Sequence, residues 1–208
     1  MFQSGYGLHG RHVSKMIEID ADAGALGVMK LRIIAETARA MATGVTNVAL
    51  RRTLAGSVVL NPGDRAPEFS LQASDGLIYH LADFLGRKPV VIAWFPKAFT
   101  GGCTAECRSL VAQNQAFSRA NVQCFAASVD TPQVNAEFAS ALGLSYPILS
   151  DPDRTVARAY GVLAASGFAS RWTFYIATDG RIIHIDKHVR AASHGSDVAA
   201  RLMELGIS

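Results

Sequence analysis

Two cysteines four positions apart are the residues of this sequence with the clearest capacity for chemistry. Cys103 and Cys107 lie in segment 96–107, which follows an apolar run and leads into a predicted helix. Cys103 falls at the expected helix start, where unpaired backbone N–H groups and the helix dipole favour a negative charge. Because the thiolate is the reactive form of cysteine, this position predicts a nucleophilic Cys103 near neutral pH.

The residues just before Cys103 suit an attack on a small ligand. Pro96 removes a backbone donor and fixes the turn after the apolar run. Thr100 brings a hydroxyl within one short loop of the sulfur, where it can bond both the thiolate and an incoming oxygen. Gly101 and Gly102 let the backbone approach a small molecule closely. The loop begins where the predicted strand ends. In an open α/β sheet, the crevice at that end of the strands is the usual ligand site.

The third cysteine, the net charge and the lengths of the apolar runs exclude several classes of protein. Cys124 lies in the apolar run 122–127, so we predict a buried thiol that acts as a small hydrophobe. Three cysteines in 208 residues do not indicate a secreted disulfide framework. The formal charge of +3 is mild and basic residues are not interleaved with aromatics, so we expect no nucleic-acid partner. A membrane-spanning helix needs a run of roughly 18 apolar residues, and the sequence contains no such run.

The elements that position these side chains begin after a cluster of turn residues at 61–64. From there on, strand and helix patterns alternate. We predict a hairpin of strands 69–72 and 77–80, buried strands at 89–95 and 122–129, helices over 104–120 and 131–142, a short strand at 148–149, a short helix at 153–160, a hairpin of strands 172–176 and 181–186, and a last helix at 196–205. This order implies an α/β sandwich with a mixed sheet.

Residues 1–57 are predicted to form an N-terminal extension of the domain at 58–208. Glycines interrupt any helix in residues 1–28, so we predict disorder there. Residues 29–55 instead have apolar residues at 3-4-3-4-3 spacing and most of the surplus positive charge, which predicts a basic amphipathic helix. We favour a helix that packs on its own domain or on a second subunit. It could also lie on an anionic membrane surface, as an interaction module that adds to catalysis.

The location of the protein depends on where translation starts. We expect a cytoplasmic protein, either a monomer or a homodimer. The alternative is import into an organelle, because segment 29–55 is Arg-rich and acid-poor and would be typical of a transit peptide if translation started at Met29.

The pattern Pro96-x-x-x-Thr100-x-x-Cys103 resembles the active-site signature of the peroxiredoxins. The order of elements is also similar to the thioredoxin-like fold of that family, over about seven tenths of the chain from Val58 onward. The resemblance implies a three-layer α/β sandwich with a mixed central sheet over 58–208. This domain follows the N-terminal helical extension in the sequence.

A second, distant segment supports the resemblance. Arg171-Trp172-Thr173-Phe174, followed by Asp179-Gly180, is similar to the segment that carries the active-site arginine of the peroxiredoxins. The resemblance implies that Arg171 sits beside Cys103, stabilises the thiolate and polarises the peroxide. Without the resemblance, Arg171 would be interpreted as an ordinary surface charge at the start of a strand.

Within the family, Gly-Cys-Thr at the helix start and a second cysteine in the same helix resemble the bacterioferritin-comigratory, or Q-type, subgroup. This implies that Cys107 is the resolving cysteine. There are two departures, since Gly102 stands where the subgroup usually has proline, and Cys107 lies four residues on instead of five. Residues four apart on a helix have Cβ atoms about 5–6 Å apart, and a disulfide needs about 3.5–4.5 Å. The first helical turn must therefore open before the disulfide forms.

The resemblance implies a thiol-dependent peroxidase that reduces hydrogen peroxide and small organic hydroperoxides. Cys103 would become a sulfenic acid and condense with Cys107. A thioredoxin- or glutaredoxin-like reductant would then reduce the Cys103–Cys107 disulfide by thiol exchange. No metal and no organic cofactor are expected.

Two other functions use the same cysteines. Cys-x-x-x-Cys also resembles the copper chaperones of cytochrome oxidase assembly, which add a distant histidine, and soft thiolates with imidazole suit copper. His184 and His188 are expected in a solvated hairpin and His194 in a loop before the last helix, but Arg171 stands where that family has its histidine. A thiol-disulfide oxidoreductase would instead show Cys-x-x-Cys.

Overall fold

The computed structural model describes residues 58–207, and the predictions for residues 1–57 lie outside them. The elements, in chain order, are β1 (Ser70–Gln72), β2 (Ile78–His80), a one-turn 3-10 helix (Leu81–Asp83), β3 (Val90–Trp94), α1 (Gly101–Val111), α2 (Asn114–Arg119), β4 (Gln123–Ser128), α3 (Pro132–Leu142), β5 (Ile148–Ser150), α4 (Thr155–Ala159), β6 (Thr173–Ile176), β7 (Ile182–Asp186) and α5 (His194–Glu204). Within these residues no helix combines the length and the apolar character that a membrane span requires.

The central sheet is mixed and has the strand order β5-β4-β3-β6-β7. β3 runs parallel to β4 and antiparallel to β6, so that Val91 pairs with both Cys124 and Tyr175. All five residues of β3 are buried, as the continuous apolar run predicts for a strand covered on both faces. β1 and β2 form the predicted hairpin as a separate two-stranded sheet.

Two hydrophobic cores lie on the two faces of the sheet, because side chains alternate along a strand. Ile92 and Trp94 pack into the core that contains the β1–β2 hairpin and α4. Val91 and Ala93 pack into the other core, with side chains of α1, α2, α3 and α5. The described residues therefore form three layers, and the predicted thioredoxin-like α/β sandwich is confirmed.

Local signals set the bounds of α3 as predicted. The Thr131 side chain accepts a hydrogen bond from the Val134 N–H at 3.3 Å, and Pro132 occupies the first helical position. Gly143 ends the helix in the left-handed conformation, with φ at 60°, which glycine adopts without the steric penalty of a side chain.

The prediction of one helix over residues 104–120 was wrong in two respects. α1 begins at Gly101, after Thr100 in an extended conformation, so Cys103 is the third residue of the helix. The chain then leaves the helix at Gln113, with φ at −106° and ψ at 11°, before α2 begins. Residues 104–120 contain neither glycine nor proline, so the break lacks the residues that usually mark a helix end.

Candidate active site

The loop between β3 and α1 is fixed from the neighbouring strand. β3 and β4 are parallel, so both end at the same edge of the sheet. Asp130, just beyond the end of β4, accepts a hydrogen bond from the Ala98 N–H at 2.9 Å. The carboxylate therefore holds the loop that leads to Cys103.

Phe99 adopts a strained conformation in this loop. Its φ is 59°, in the left-handed region that a bulky side chain rarely occupies. The ring centroid lies 5.0 Å from that of Phe138, yet 56% of the residue stays exposed. Such strain persists only when the surroundings impose it, and the Asp130 contact and the Phe138 packing supply that constraint.

Cys103 lies at the start of α1, with 1% of its surface exposed. Its backbone N–H is among the first of the helix, which have limited pairing within it. The Arg171 guanidinium donates from Nη2 to Cys103 Sγ at 3.4 Å, across 68 positions of sequence. The structure therefore brings together the cysteine and the arginine that the two sequence segments indicated.

Glu106 is a charged residue of this site that the sequence analysis missed. Its carboxylate is 1% exposed and forms an ion pair through Oε2 with Arg171 Nη1. The buried positions of α1 are Cys103, Glu106, Cys107 and Leu110, which is one helix face. An acid on a face that is otherwise apolar needs a buried partner, and that pattern could have identified Glu106.

Cys107 lies one turn further along the same buried face and is 0% exposed. Burial raises the pKa of Cys107 to about 12, so the thiol is protonated at neutral pH. The Tyr146 hydroxyl donates to the Cys107 carbonyl at 2.9 Å and ties the helix to the loop before β5. The intact structure thus keeps Cys107 as a buried thiol in a restrained helix.

The other two predicted site residues shape the loop. Pro96 lies in the loop, two residues after β3 ends at Trp94. The Thr100 hydroxyl donates to the Lys97 carbonyl at 3.0 Å, and Thr100 is exposed. Its hydroxyl therefore pairs with loop backbone in this conformation, while the Arg171 guanidinium contacts the sulfur.

The remaining cysteine and histidines have different surroundings. Cys124 is buried in β4 as predicted, and burial raises its pKa to about 12. His188 is exposed and His184 lies in β7 with its ring 5.4 Å from that of Tyr175. The expectation of a loop position for His194 was wrong, since it is the first residue of α5 and 1% exposed. Across residues 58–207, no group of three or more His, Cys, Asp and Glu side chains could hold a metal ion.

Comparisons with known proteins agree with this geometry. The model of the AhpC/TSA family matches residues 62–185. Peroxiredoxin Bcp of Escherichia coli is 33% identical over 152 residues, which are 70% of this chain and 97% of that protein. A putative peroxiredoxin of Mycobacterium tuberculosis is 36% identical over 142 residues, which are 65% of this chain and 90% of that protein.

Solved structures show the same relationship. The crystal structure of peroxidoxin BcpB from Mycobacterium tuberculosis superposes with a TM-score of 0.65 at 28% identity, and the match covers 71% of this chain and 99% of that one. The family model spans more than half of the sequence, and it includes the loop with Cys103 and the start of β6. The chain therefore belongs to the AhpC/TSA family, as a peroxiredoxin of the bacterioferritin-comigratory, or Q, type.

Proposed function

We propose that this thiol-dependent peroxidase uses Cys103 as its peroxidatic residue, with Arg171 as the group that activates it. The observation that carries this assignment is the contact between Arg171 Nη2 and Cys103 Sγ at 3.4 Å. A guanidinium and a helix N-terminus both favour the anionic form of sulfur, which is the nucleophile.

In the first step the Cys103 thiolate attacks the terminal oxygen of the peroxide. The S–O bond forms as the O–O bond breaks, so that sulfur is oxidised to a sulfenic acid and the peroxide is reduced. The second oxygen leaves as hydroxide or alkoxide and takes up a proton to give water or an alcohol. Arg171 and the N–H groups of the first turn of α1 stabilise the charge that develops on that oxygen.

In the second step Cys107 acts as the resolving residue. Its sulfur attacks the sulfenic sulfur of Cys103, a disulfide forms, and the hydroxyl leaves as water with the thiol proton. Cβ atoms four residues apart on a helix are too distant for a disulfide, so the first turns of α1 must open. Local opening at a helix end needs little free energy, and the Tyr146 hydrogen bond to the Cys107 carbonyl opposes it.

A thioredoxin-type dithiol closes the cycle by reducing the Cys103–Cys107 disulfide while it is itself oxidised. We assign this step to thioredoxin, with a glutaredoxin-like protein as the alternative. For the substrate, a solved structure of the bacterioferritin comigratory protein of Xanthomonas campestris, 26% identical, is described for its alkyl peroxide reduction activity. The exposed Phe99 ring in the loop before Cys103 suits a small organic hydroperoxide as well as hydrogen peroxide.

Cysteine variants test the assignment in a peroxidase assay coupled to thioredoxin and its reductase. Cys103→Ser should abolish peroxide consumption, and Cys107→Ser should lose turnover with thioredoxin while Cys103 still reacts once. Cys124→Ala is the matched control, because that thiol is buried among apolar side chains in β4, and it should keep turnover. Activity in Cys103→Ser would refute the assignment, and full turnover in Cys107→Ser would remove Cys107 from the cycle.

A further inference from the structure

A buried imidazole lies against the carboxylate oxygen of Glu106 that Arg171 leaves free. His194 Nδ1 is 3.0 Å from Glu106 Oε1, and both side chains are 1% exposed. The N–H direction of the ring is not aligned with that oxygen, but neither atom has another hydrogen-bond partner within residues 58–207. Leaving a buried polar atom without a partner costs about 1–3 kcal/mol. Each of these two atoms is therefore the available partner of the other.

The other ring nitrogen is held by the strand that follows Arg171. Thr173 Oγ1 lies 2.8 Å from His194 Nε2, and Thr173 is 0% exposed. Thr173 begins β6, two positions after Arg171. The ring therefore links the start of β6, two residues after the arginine, to the buried face of α1, which carries Glu106 and Cys103.

The start of α5 is built to bring His194 to this place. The Gly195 N–H donates to Ser109 Oγ at 2.8 Å, so the first turn of α5 is bonded to α1. A Cβ atom on residue 195 would lie 1.9 Å from the Ser109 carbonyl oxygen. Only glycine permits this approach of the two helices, and it places the neighbouring imidazole beside Glu106.

The surroundings determine where the imidazole carries its proton. Burial lowers the pKa of His194 to about 4 and the Arg171 charge acts in the same direction, against Asp186 and Asp197. The ring is therefore neutral at pH 7 and has one N–H group. An ionised carboxylate only accepts hydrogen bonds, so we assign the ring proton to Nδ1, the nitrogen 3.0 Å from Glu106 Oε1, and the Thr173 hydroxyl as the donor to Nε2.

We propose that His194 is a positioning residue of the peroxidase reaction, which occupies Glu106 Oε1 and so keeps Arg171 Nη2 on the sulfur of Cys103. This inference rests on the proposed function. Arginine and carboxylate groups commonly pair through two parallel N–H···O bonds. Here Glu106 Oε2 pairs with Arg171 Nη1, and the His194 imidazole lies against Glu106 Oε1. Without the imidazole, Nη2 could turn to the free oxygen and leave Cys103.

The test compares variants of His194 and Thr173 in the full chain. His194→Leu removes the donor, and His194→Asn keeps an N–H near the position of Nδ1. We expect His194→Leu to lower the second-order rate of Cys103 oxidation by hydrogen peroxide by up to about 100-fold, the effect of a misplacement of about 1 Å at a reacting centre. His194→Asn should recover most of that rate, and Thr173→Val should lose less rate than His194→Leu. The exposed His188→Ala is the matched control and should keep the wild-type rate.

A spectroscopic measurement separates positioning from a general effect on folding. Long-range ¹H–¹⁵N correlation spectra of the wild-type protein at pH 7 should show His194 as the neutral Nδ1–H tautomer. Circular dichroism and urea unfolding check that each variant is folded. If His194→Leu does not fold, the tautomer and the rate of Thr173→Val decide the question.

The outcomes distinguish the two proposals. A wild-type protein that does not react with peroxide, or a Cys103→Ser variant that reacts as the wild type does, overturns the proposed function itself. If the wild type reacts through Cys103 but a folded His194→Leu keeps its rate, the positioning role is wrong. A neutral His194 ring that carries its proton on Nε2 at pH 7 also contradicts the positioning role.

Discussion

Gly102 leaves the space that the Arg171 guanidinium occupies. A Cβ atom on residue 102 would lie 3.3 Å from Arg171 Nη2, closer than such atoms normally approach, whereas a Cβ atom on Gly101 would meet nothing within 4 Å. The two adjacent glycines are therefore not equivalent. One borders the group that contacts the reactive sulfur, and the other faces open space.

A methyl group at each glycine tests this difference. Gly102→Ala should displace the guanidinium by a few tenths of an ångström and slow the oxidation of Cys103, because small misplacements at a reacting centre reduce rates strongly. Gly101→Ala is the matched control and should leave the rate near that of the wild type. Stopped-flow fluorescence with hydrogen peroxide measures both rates. Equal rates in the two variants would show that residue 102 does not constrain Arg171.

Removing the guanidinium should separate its catalytic effect from its effect on stability. Arg171→Met should slow Cys103 oxidation by about 100-fold or more, as the loss of a charge-stabilising donor does. It should also lower the free energy of unfolding by about 3 kcal/mol, since it leaves the Glu106 charge buried without its cation.

The double variant Arg171→Met/Glu106→Gln completes this cycle. It should regain much of the lost stability, because the neutral amide no longer needs a cation, but it should not regain the rate. Urea unfolding and stopped-flow oxidation provide the two readouts. Recovery of the rate in the double variant would mean that Arg171 acts only by compensating Glu106.

The hydrogen bond of Tyr146 should control how fast the disulfide forms. Tyr146→Phe removes the donor to the Cys107 carbonyl and should destabilise the helix by about 1 kcal/mol. Disulfide formation after a single equivalent of peroxide should then become faster, by up to about fivefold, the rate equivalent of that free energy.

Tyr160→Phe is the matched control for this effect. The Tyr160 hydroxyl also donates to a backbone carbonyl, that of Pro67, at 2.9 Å, but it lies in the opposite core. This variant should lose similar stability without any change in the rate of disulfide formation, measured by quenched-flow mass analysis. Acceleration in both variants would indicate a general loosening of the fold.

The buried thiol of Cys124 should make stability depend on alkaline pH. Burial raises its pKa from 9.0 to about 12, so the unfolded chain loses this proton first as pH rises. Its contribution is fully present below pH 9 and is lost progressively between pH 9 and about 12. Urea unfolding across this window should show a shallower fall for Cys124→Ala than for the wild type. Parallel curves would contradict the predicted ionisation.

The sequence predicted those parts of the fold whose signals are local. The apolar run of β3 and the Thr131-Pro132 start of α3 depend on nearby residues, and both appear where expected. The break between α1 and α2 has no such signal, because neither glycine nor proline occurs there.

The site was predictable to the extent that its motifs are contiguous. Cys103 follows from its position at a helix start, but Arg171 has no distinguishing local feature and was identified only through the resemblance. Glu106 could have been found from the buried face of α1. His194 and Thr173 could not, because their contact joins α5 to β6 and depends on the three-dimensional approach that Gly195 allows.

The most direct test of the central claim is to locate the first oxidised sulfur. Cys107→Ser protein is treated with one equivalent of hydrogen peroxide in the presence of dimedone, which traps sulfenic acids, and the adduct is mapped by mass spectrometry. The adduct should appear on Cys103, and adding Arg171→Met to the same variant should slow its formation. An adduct confined to Cys124, or no adduct on Cys103 while peroxide is consumed, would contradict the account.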